Sequence, residues 1–124
     1  MNSRCYLEQM LMEYKRGTIV LVNFNPQKIP EEISKVRPAI IISDTDLNDI
    51  LDLVSVVALT TNLIDDALPL RIRINKKDLL LQDSDAMCEQ LRSISKSRIT
   101  KVLSTLNEEE LKLIEFGIKE MLGL

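Results

Sequence analysis

A small, mainly β barrel with a helix docked on its outside is the fold this sequence predicts, and three observations predict it. Several short runs rich in β-branched residues follow one another with turn signals between them and little helical patterning. One of these runs, residues 36–43, includes three consecutive isoleucines with no polar interruption, as suits a central strand covered on both faces. Residues 107–123 carry a full set of helix start and stop signals.

Taken in order, residues 1–14 place Leu7, Met10, Leu11 and Tyr14 at helical spacing, which predicts a short N-terminal amphipathic helix. The expected division is a helical extension over 1–15 and a single barrel domain over 16–124. Lys15, Arg16 and Gly17 end the helix, and residues 18–24 read as the first strand. Residues 25–35, with Pro26 and Pro30 and no periodicity, form a loop of a length that compact domains keep for functional or mobile segments. In the central strand Pro38 cannot donate a ladder hydrogen bond, so it is expected at the first position, with Arg37 held extended before it. Residues 45–52 are an acidic connection of about one helical turn. Strands are then expected over 53–60, 69–74, 86–94 and 99–103. The alternation of Leu70, Ile72 and Ile74 with Arg71 and Arg73 predicts arginines facing water. Asn107 caps the last helix, Glu110 completes a capping box, and Leu106 and Leu111 form a hydrophobic staple. Leu111, Ile114, Ile118, Met121 and Leu122 make its apolar face, and Gly123 closes it.

Composition narrows the chemistry. The chain has 124 residues, long enough for a core without staples. It contains no histidine, so Ser-His-Asp and paired-histidine mechanisms are excluded, and acid–base work falls to Arg, Lys, Asp, Glu, Tyr or Cys. Cys5 and Cys88 make no disulfide framework, and no Cys/His cluster suits zinc, so neither metal nor other cofactor is expected. No apolar run approaches the roughly 18 residues of a membrane span, and no signal-peptide core is present, so a cytoplasmic protein without a membrane partner is expected. The net charge of −3 argues against a nucleic-acid partner on its face. Its distribution says more: residues 38–66 hold six aspartates and no base, whereas residues 67–106 hold eight bases against four acids. Only four aromatics occur, and Phe24 alone lies in the barrel region, so a stacking platform for bases is not expected.

Lining up strand ends singles out Arg37 at a strand start, Thr60 and Thr61 at a strand end, and Glu89, Gln90 and Arg92 on a later strand. In order, these segments resemble the MazF/PemK family of toxin endoribonucleases. The matching residues are Arg16-Gly17, Asn25-Pro26, Val36-Arg37-Pro38-Ala39-Ile40-Ile41-Ile42-Ser43 with Asn48 beyond, Ala58-Leu59-Thr60-Thr61, Leu68-Pro69, and the run from Glu89 through Arg92, Lys96 and Arg98 to Ile99. The resemblance implies an SH3-like barrel of the CcdB/MazF/Kid type, a homodimer, a cognate antitoxin, and metal-independent cleavage of single-stranded RNA at short motifs. It places the catalytic pair on Arg37 and Thr60, with Glu89 as an acidic candidate, and RNA contacts on Glu32, Thr61, Gln90 and Arg92. Two departures stand out: the family's second arginine position is Met87 here, and the loop before the Arg-Pro strand has no glycine. A competing reading keeps the barrel and drops the chemistry, as a toxin of a protein target such as DNA gyrase or as a binding module. The acidic helix, with Glu108, Glu109, Glu110, Glu115 and Glu120, does not favour it.

Overall fold

The computed structural model describes residues 14–24 and 36–124. The expected N-terminal helix, the loop 25–35 and Glu32 within it lie outside those residues. Six antiparallel strands, β1 (Thr18–Asn23), β2 (Val36–Ile41), β3 (Leu53–Thr60), β4 (Arg71–Ile74), β5 (Ser84–Ser95) and β6 (Ile99–Thr105), form one sheet in the order β4-β5-β3-β2-β1-β6. The sheet curls into a half-barrel. A six-residue helix α1 (Thr45–Ile50) links β2 to β3, and α2 (Glu108–Leu122) ends the chain.

β2 is buried on both faces, as its unbroken apolar sequence requires. Ile40 enters one core with Ile19, Val57, Leu59, Ile72, Ile74 and Ile114 of α2. Ala39 and Ile41 enter the other with Val20, Val22, Val54, Val56 and Ile94. The strand starts earlier than expected, at Val36, so Pro38 is its third residue and not its first. Pro38 is tolerated there because that part of β2 pairs with β1 only; pairing with β3 begins at Ala39. The first strand ends at Asn23, one residue short of Phe24. β4 begins at Arg71, two residues later than expected, and β5 and β6 extend beyond their expected ends.

Asn48 explains why a polar residue sits beside an apolar strand. It is buried, its Nδ2 donates to the carbonyls of Tyr14 (2.7 Å) and Ser43 (3.1 Å), and its Oδ1 accepts from the Ser43 hydroxyl (2.5 Å). That hydroxyl accepts the Ser55 N–H in turn, so one side chain ties α1 to both central strands. The sheet's two edges are brought together by the β4–β5 connection, where the Leu79 N–H donates to the Leu103 carbonyl of β6 (3.1 Å).

α2 is capped as its sequence predicts. Asn107 accepts the Glu110 N–H, and Glu110 returns a bond to the Asn107 N–H. The Glu110 carboxylate also takes the Lys77 ammonium at 2.7 Å, which pins the helix start to the β4–β5 connection. The apolar face is only partly covered: Ile114 is fully buried, whereas Met121 and Leu122 are exposed, contrary to the expected stripe. Packing is closest at Gly117, where an added Cβ would lie 2.5 Å from the Pro69 carbonyl and 2.7 Å from Cys88 Sγ. Hydrophobic periodicity says nothing of this glycine, because its role is to be absent from the interface. Gly117→Ala is expected to destabilise the fold by about 1–3 kcal/mol despite alanine's better helix propensity, since helix and sheet must separate. Urea unfolding checks it, and an unchanged midpoint would contradict the close-approach argument.

Candidate functional site

The site is built where strands leave the second core. Residues facing that core continue outwards, along β1 to Phe24, along β2 from Ala39 to Arg37, along β3 to Ala58 and Thr60, and along β5 from Ile94 to Arg92 and Gln90. There they line a cleft of 250 Å³ formed by Phe24, Arg37, Ala58, Met87, Gln90 and Arg92. In regular strand geometry Met87 and Gln90, three residues apart, face opposite sides. A bulge reconciles them: Val57 pairs with Leu91 but Leu59 pairs with Ala86, so extra β5 residues oppose Ala58 and turn both side chains into one cleft.

The guanidiniums on this face differ in what holds them. Arg92 lies over the Phe24 ring, 5.1 Å from its centroid, a cation–π contact that occupies the aromatic face. Arg71 directs Nε and Nη2 to Glu89 Oε1, each at 2.7 Å, while Glu89 Oε2 is buried without a hydrogen-bond partner. Arg73 bonds Asp85 through Nε (2.6 Å) and Asp65 through Nη2 (2.9 Å). The expected alternation holds, with Ile72 and Ile74 buried and the arginines on the outer face, but β5 places Glu89 and Asp85 within their reach, so both are ion-paired as well. Among the described residues, the Arg37 guanidinium and the Gln90 amide make no hydrogen bond or ion pair. An exposed, unpaired guanidinium is the group most ready to take an incoming anion.

Thr60 stands at the end of β3. Continuing the Ala39–Ala58 register outwards by two residues on each strand sets it level with Arg37. Its hydroxyl oxygen accepts the Asn62 N–H at 3.2 Å, a common turn contact, and its proton stays available to donate. Glu89 is not among the described residues that line the cleft, and its carboxylate is held by Arg71. Thr61 lines a separate, largely apolar groove with Leu21, Pro38 and Leu79 to Leu81. A wider hollow of 520 Å³ lies between β4, the 64–68 segment and Leu113 of α2, but its two arginines, 71 and 73, are already neutralised. Met87, the departure noted in the sequence, has Arg71 as its cross-strand partner on β4, and that is the guanidinium reaching Glu89. Sequence reasoning missed Arg71, Arg73 and Asp85. The available signal was two alternating bases on one strand facing two acids on its neighbour.

Two of the displaced titratable groups, Cys88 and Asp85, bear on the site. Burial pushes the Cys88 thiol up to about 11, with the nearby Glu89 charge adding to the effect, so it is no nucleophile at neutral pH. Burial alone would raise the Asp85 carboxyl as well. The Arg73 guanidinium and the Ile64 amide N–H outweigh it and hold Asp85 below the usual carboxylate range.

A sequence profile of the PemK-like, MazF-like toxins of type II toxin–antitoxin systems matches residues 15–122. The chain belongs to that family. An endoribonuclease MazF of Staphylococcus saprophyticus is 29% identical over 111 residues, spanning 89% of this chain and 92% of that protein. The crystal structure of MazF from Deinococcus radiodurans superposes with a TM-score of 0.72 at 21% identity, covering 91% of this chain and 99% of that one. A mycobacterial endoribonuclease in complex with its cognate antitoxin superposes with a TM-score of 0.70 at 18% identity, over 89% of this chain and 95% of that one. At those identities the structural likenesses establish the fold, a PemK/MazF half-barrel with a C-terminal helix.

The Asp85 pairing carries a pH consequence. A carboxyl depressed by folding contributes stability that is fully present above its unfolded value, near 3.9, and is lost as pH falls through the folded value. The unfolding midpoint in urea is therefore expected to be insensitive to this group from pH 7 to 5 and to fall below about pH 4. Asp85→Asn should flatten that acid limb and cost about 1–3 kcal/mol at pH 7. An unaltered acid limb in the variant would show that Asp85 is not its source.

Proposed function

We propose that this PemK/MazF-family chain is an endoribonuclease toxin that cleaves single-stranded RNA without a metal ion and is held in check by a cognate antitoxin protein. The observation that carries the reading is the unpaired Arg37 guanidinium in a cleft shared with Gln90 and Arg92, level with Thr60. Endonucleolytic RNA cleavage of this kind proceeds by attack of the ribose 2′-oxygen on the adjacent phosphorus. The bond to the 5′-oxygen breaks, the 2′-hydroxyl loses its proton and the 5′-oxygen gains one. Negative charge gathers on the two non-bridging oxygens at the midpoint. A planar guanidinium donates to both at once, and a hydroxyl can donate a third bond. Arg37 is assigned that stabilisation, which suits a planar fork of donors with no acceptor. Thr60 is assigned the hydroxyl donor, and Gln90 and Arg92 the contacts to neighbouring nucleotides. Among the described residues, those lining the cleft (Phe24, Arg37, Ala58, Met87, Gln90 and Arg92) include no carboxylate, which supports a mechanism relying on cationic and polar donors.

The decisive assay is incubation with a long single-stranded RNA in excess EDTA. Cleavage is expected to persist and to leave 2′,3′-cyclic phosphate and 5′-hydroxyl ends. Arg37→Ala should lower the rate about 10²–10³-fold with the fold intact, as for loss of one preorganised donor. Ends bearing a 5′-phosphate, loss of activity on chelation, or full activity in the folded Arg37→Ala variant would overturn the reading.

A homodimer is proposed with it. Exposed apolar residues on α2, including Leu113, Phe116 and Leu122, leave area for a second subunit, and two-fold pairing is the commonest way to cover such surface. Light scattering at micromolar concentration is expected to give twice the 14.2 kDa chain mass, and a monomer mass would remove the proposal.

A further inference from the structure

The turn that follows Thr60 is tied down by a carboxylate that does not touch the cleft. Thr60 pairs across the sheet with Asp85 of β5, and Asp85 pairs with Arg73 of β4. Thr60, Asp85 and Arg73 thus form one row on three paired strands roughly 4.8 Å apart, and Arg37 lies two residues beyond Ala39, where the pairing of β2 with β3 ends. The Asp85 side chain is only 2% exposed. Its two oxygens are divided between different tasks: Oδ1 takes Arg73 Nε at 2.6 Å, and Oδ2 takes the Ile64 N–H at 2.7 Å. The other arm of Arg73 reaches Asp65 at 2.9 Å. Thr60 itself accepts the Asn62 N–H at 3.2 Å, and the turn leaves through Asp66 at φ 55, a conformation few side chains adopt unaided. The bonds made by Asn62, Ile64 and Asp65 fix the short segment between Thr60 and Asp66 to the sheet.

A buried ion pair is poor evidence of added stability, because desolvation offsets most of the attraction. It is good at specifying one geometry. The guanidinium fork reaches two carboxylates only when Asp65 and Asp85 are both in place, and Oδ2 meets the Ile64 amide only when the turn is closed. That closure holds Asn62 against the Thr60 oxygen, which restricts the hydroxyl's rotation and leaves one proton to donate.

We propose that Asp85 and Arg73 are positioning residues for Thr60, clamping the turn at Ile64 and Asp65 so that the Thr60 hydroxyl is presented in one orientation beside Arg37. The clamp rests on the endoribonuclease reading above and names residues that act through Thr60 without meeting RNA. Asp85→Asn is the sharpest probe. It preserves size and can still accept the Ile64 N–H, but it offers Arg73 no charge and frees the guanidinium from one of its partners.

The test is a double-mutant cycle on cleavage of a short single-stranded RNA by the full chain, comparing the unaltered protein, Thr60→Ala, Asp85→Asn and the double variant. Asp85→Asn is expected to lower kcat about 10- to 100-fold with KM within about twofold, the cost of misplacing a positioned group. In the Thr60→Ala background it should add less than about twofold, because the group it acts through is gone. A merely structural role predicts losses that multiply, and multiplied losses overturn the proposal, as does full activity in Asp85→Asn. Where circular dichroism shows Asp85→Asn unfolded at the assay temperature, Arg73→Lys takes its place in the same cycle. It keeps a charge for Asp85 but cannot span to Asp65, and the same outcomes decide. RNA left intact by the unaltered protein overturns the endoribonuclease reading and the clamp together, whereas an active protein with multiplying losses overturns the clamp alone.

Discussion

Burial of β2 on both faces is the constraint on which the rest of this structure depends. A strand with Ile40 in one core and Ala39 and Ile41 in the other cannot sit at an edge, so β1 and β3 must flank it, and the sheet must curl to supply apolar cover on each side. Each fully buried isoleucine contributes roughly 1.5–3 kcal/mol over its exposed state, a large share of a small domain's net stability. The same strand carries Arg37 out of the second core into the open. Its side chain therefore leaves from a backbone paired with β1 and set two residues beyond the point where β3 joins, which is how a long flexible arginine gains a defined origin.

Much of this arrangement was legible in the residues. The apolar run fixed the central strand, the β-branched run 53–60 matched β3 end to end, and the Asn107, Glu110 and Gly123 signals matched α2 and its caps. These features are local, since each depends on the chemistry of neighbours in sequence. What the sequence did not disclose depends on neighbours in space. Pro38 reads as a strand start until the register shows that only one side of β2 is paired there. Arg71 and Arg73 read as solvated until β5 sets Glu89 and Asp85 beside them. The bulge opposite Ala58, which turns Met87 and Gln90 to one side, has no signature in the run Met87-Cys88-Glu89-Gln90.

Glu89 illustrates how pairing reassigns a candidate. In sequence it is an acidic residue beside Gln90 and Arg92, a reasonable base. In the fold its Oε1 is taken by both arms of Arg71. A carboxylate so held has little freedom to approach a group bound in the cleft.

An acidic chain proposed to act on a polyanion needs its positive charge localised, and ion pairing does the sorting. Arg71 and Arg73 are cancelled by carboxylates 2.6 to 2.9 Å away, and beyond a Debye length of about 8 Å such pairs present little field. Arg37 and Arg92 face the cleft, and among the described residues that line it there is no carboxylate. The aspartates of the 44–52 segment and the glutamates at the start of α2 lie on other elements, where they serve capping and helix starts, as Asp44 does for α1 and Glu110 for α2. Net charge is then a poor guide to what this protein meets. The relevant quantity is which guanidiniums the fold leaves unpaired, and that is decided by strand register, one cross-strand neighbour at a time.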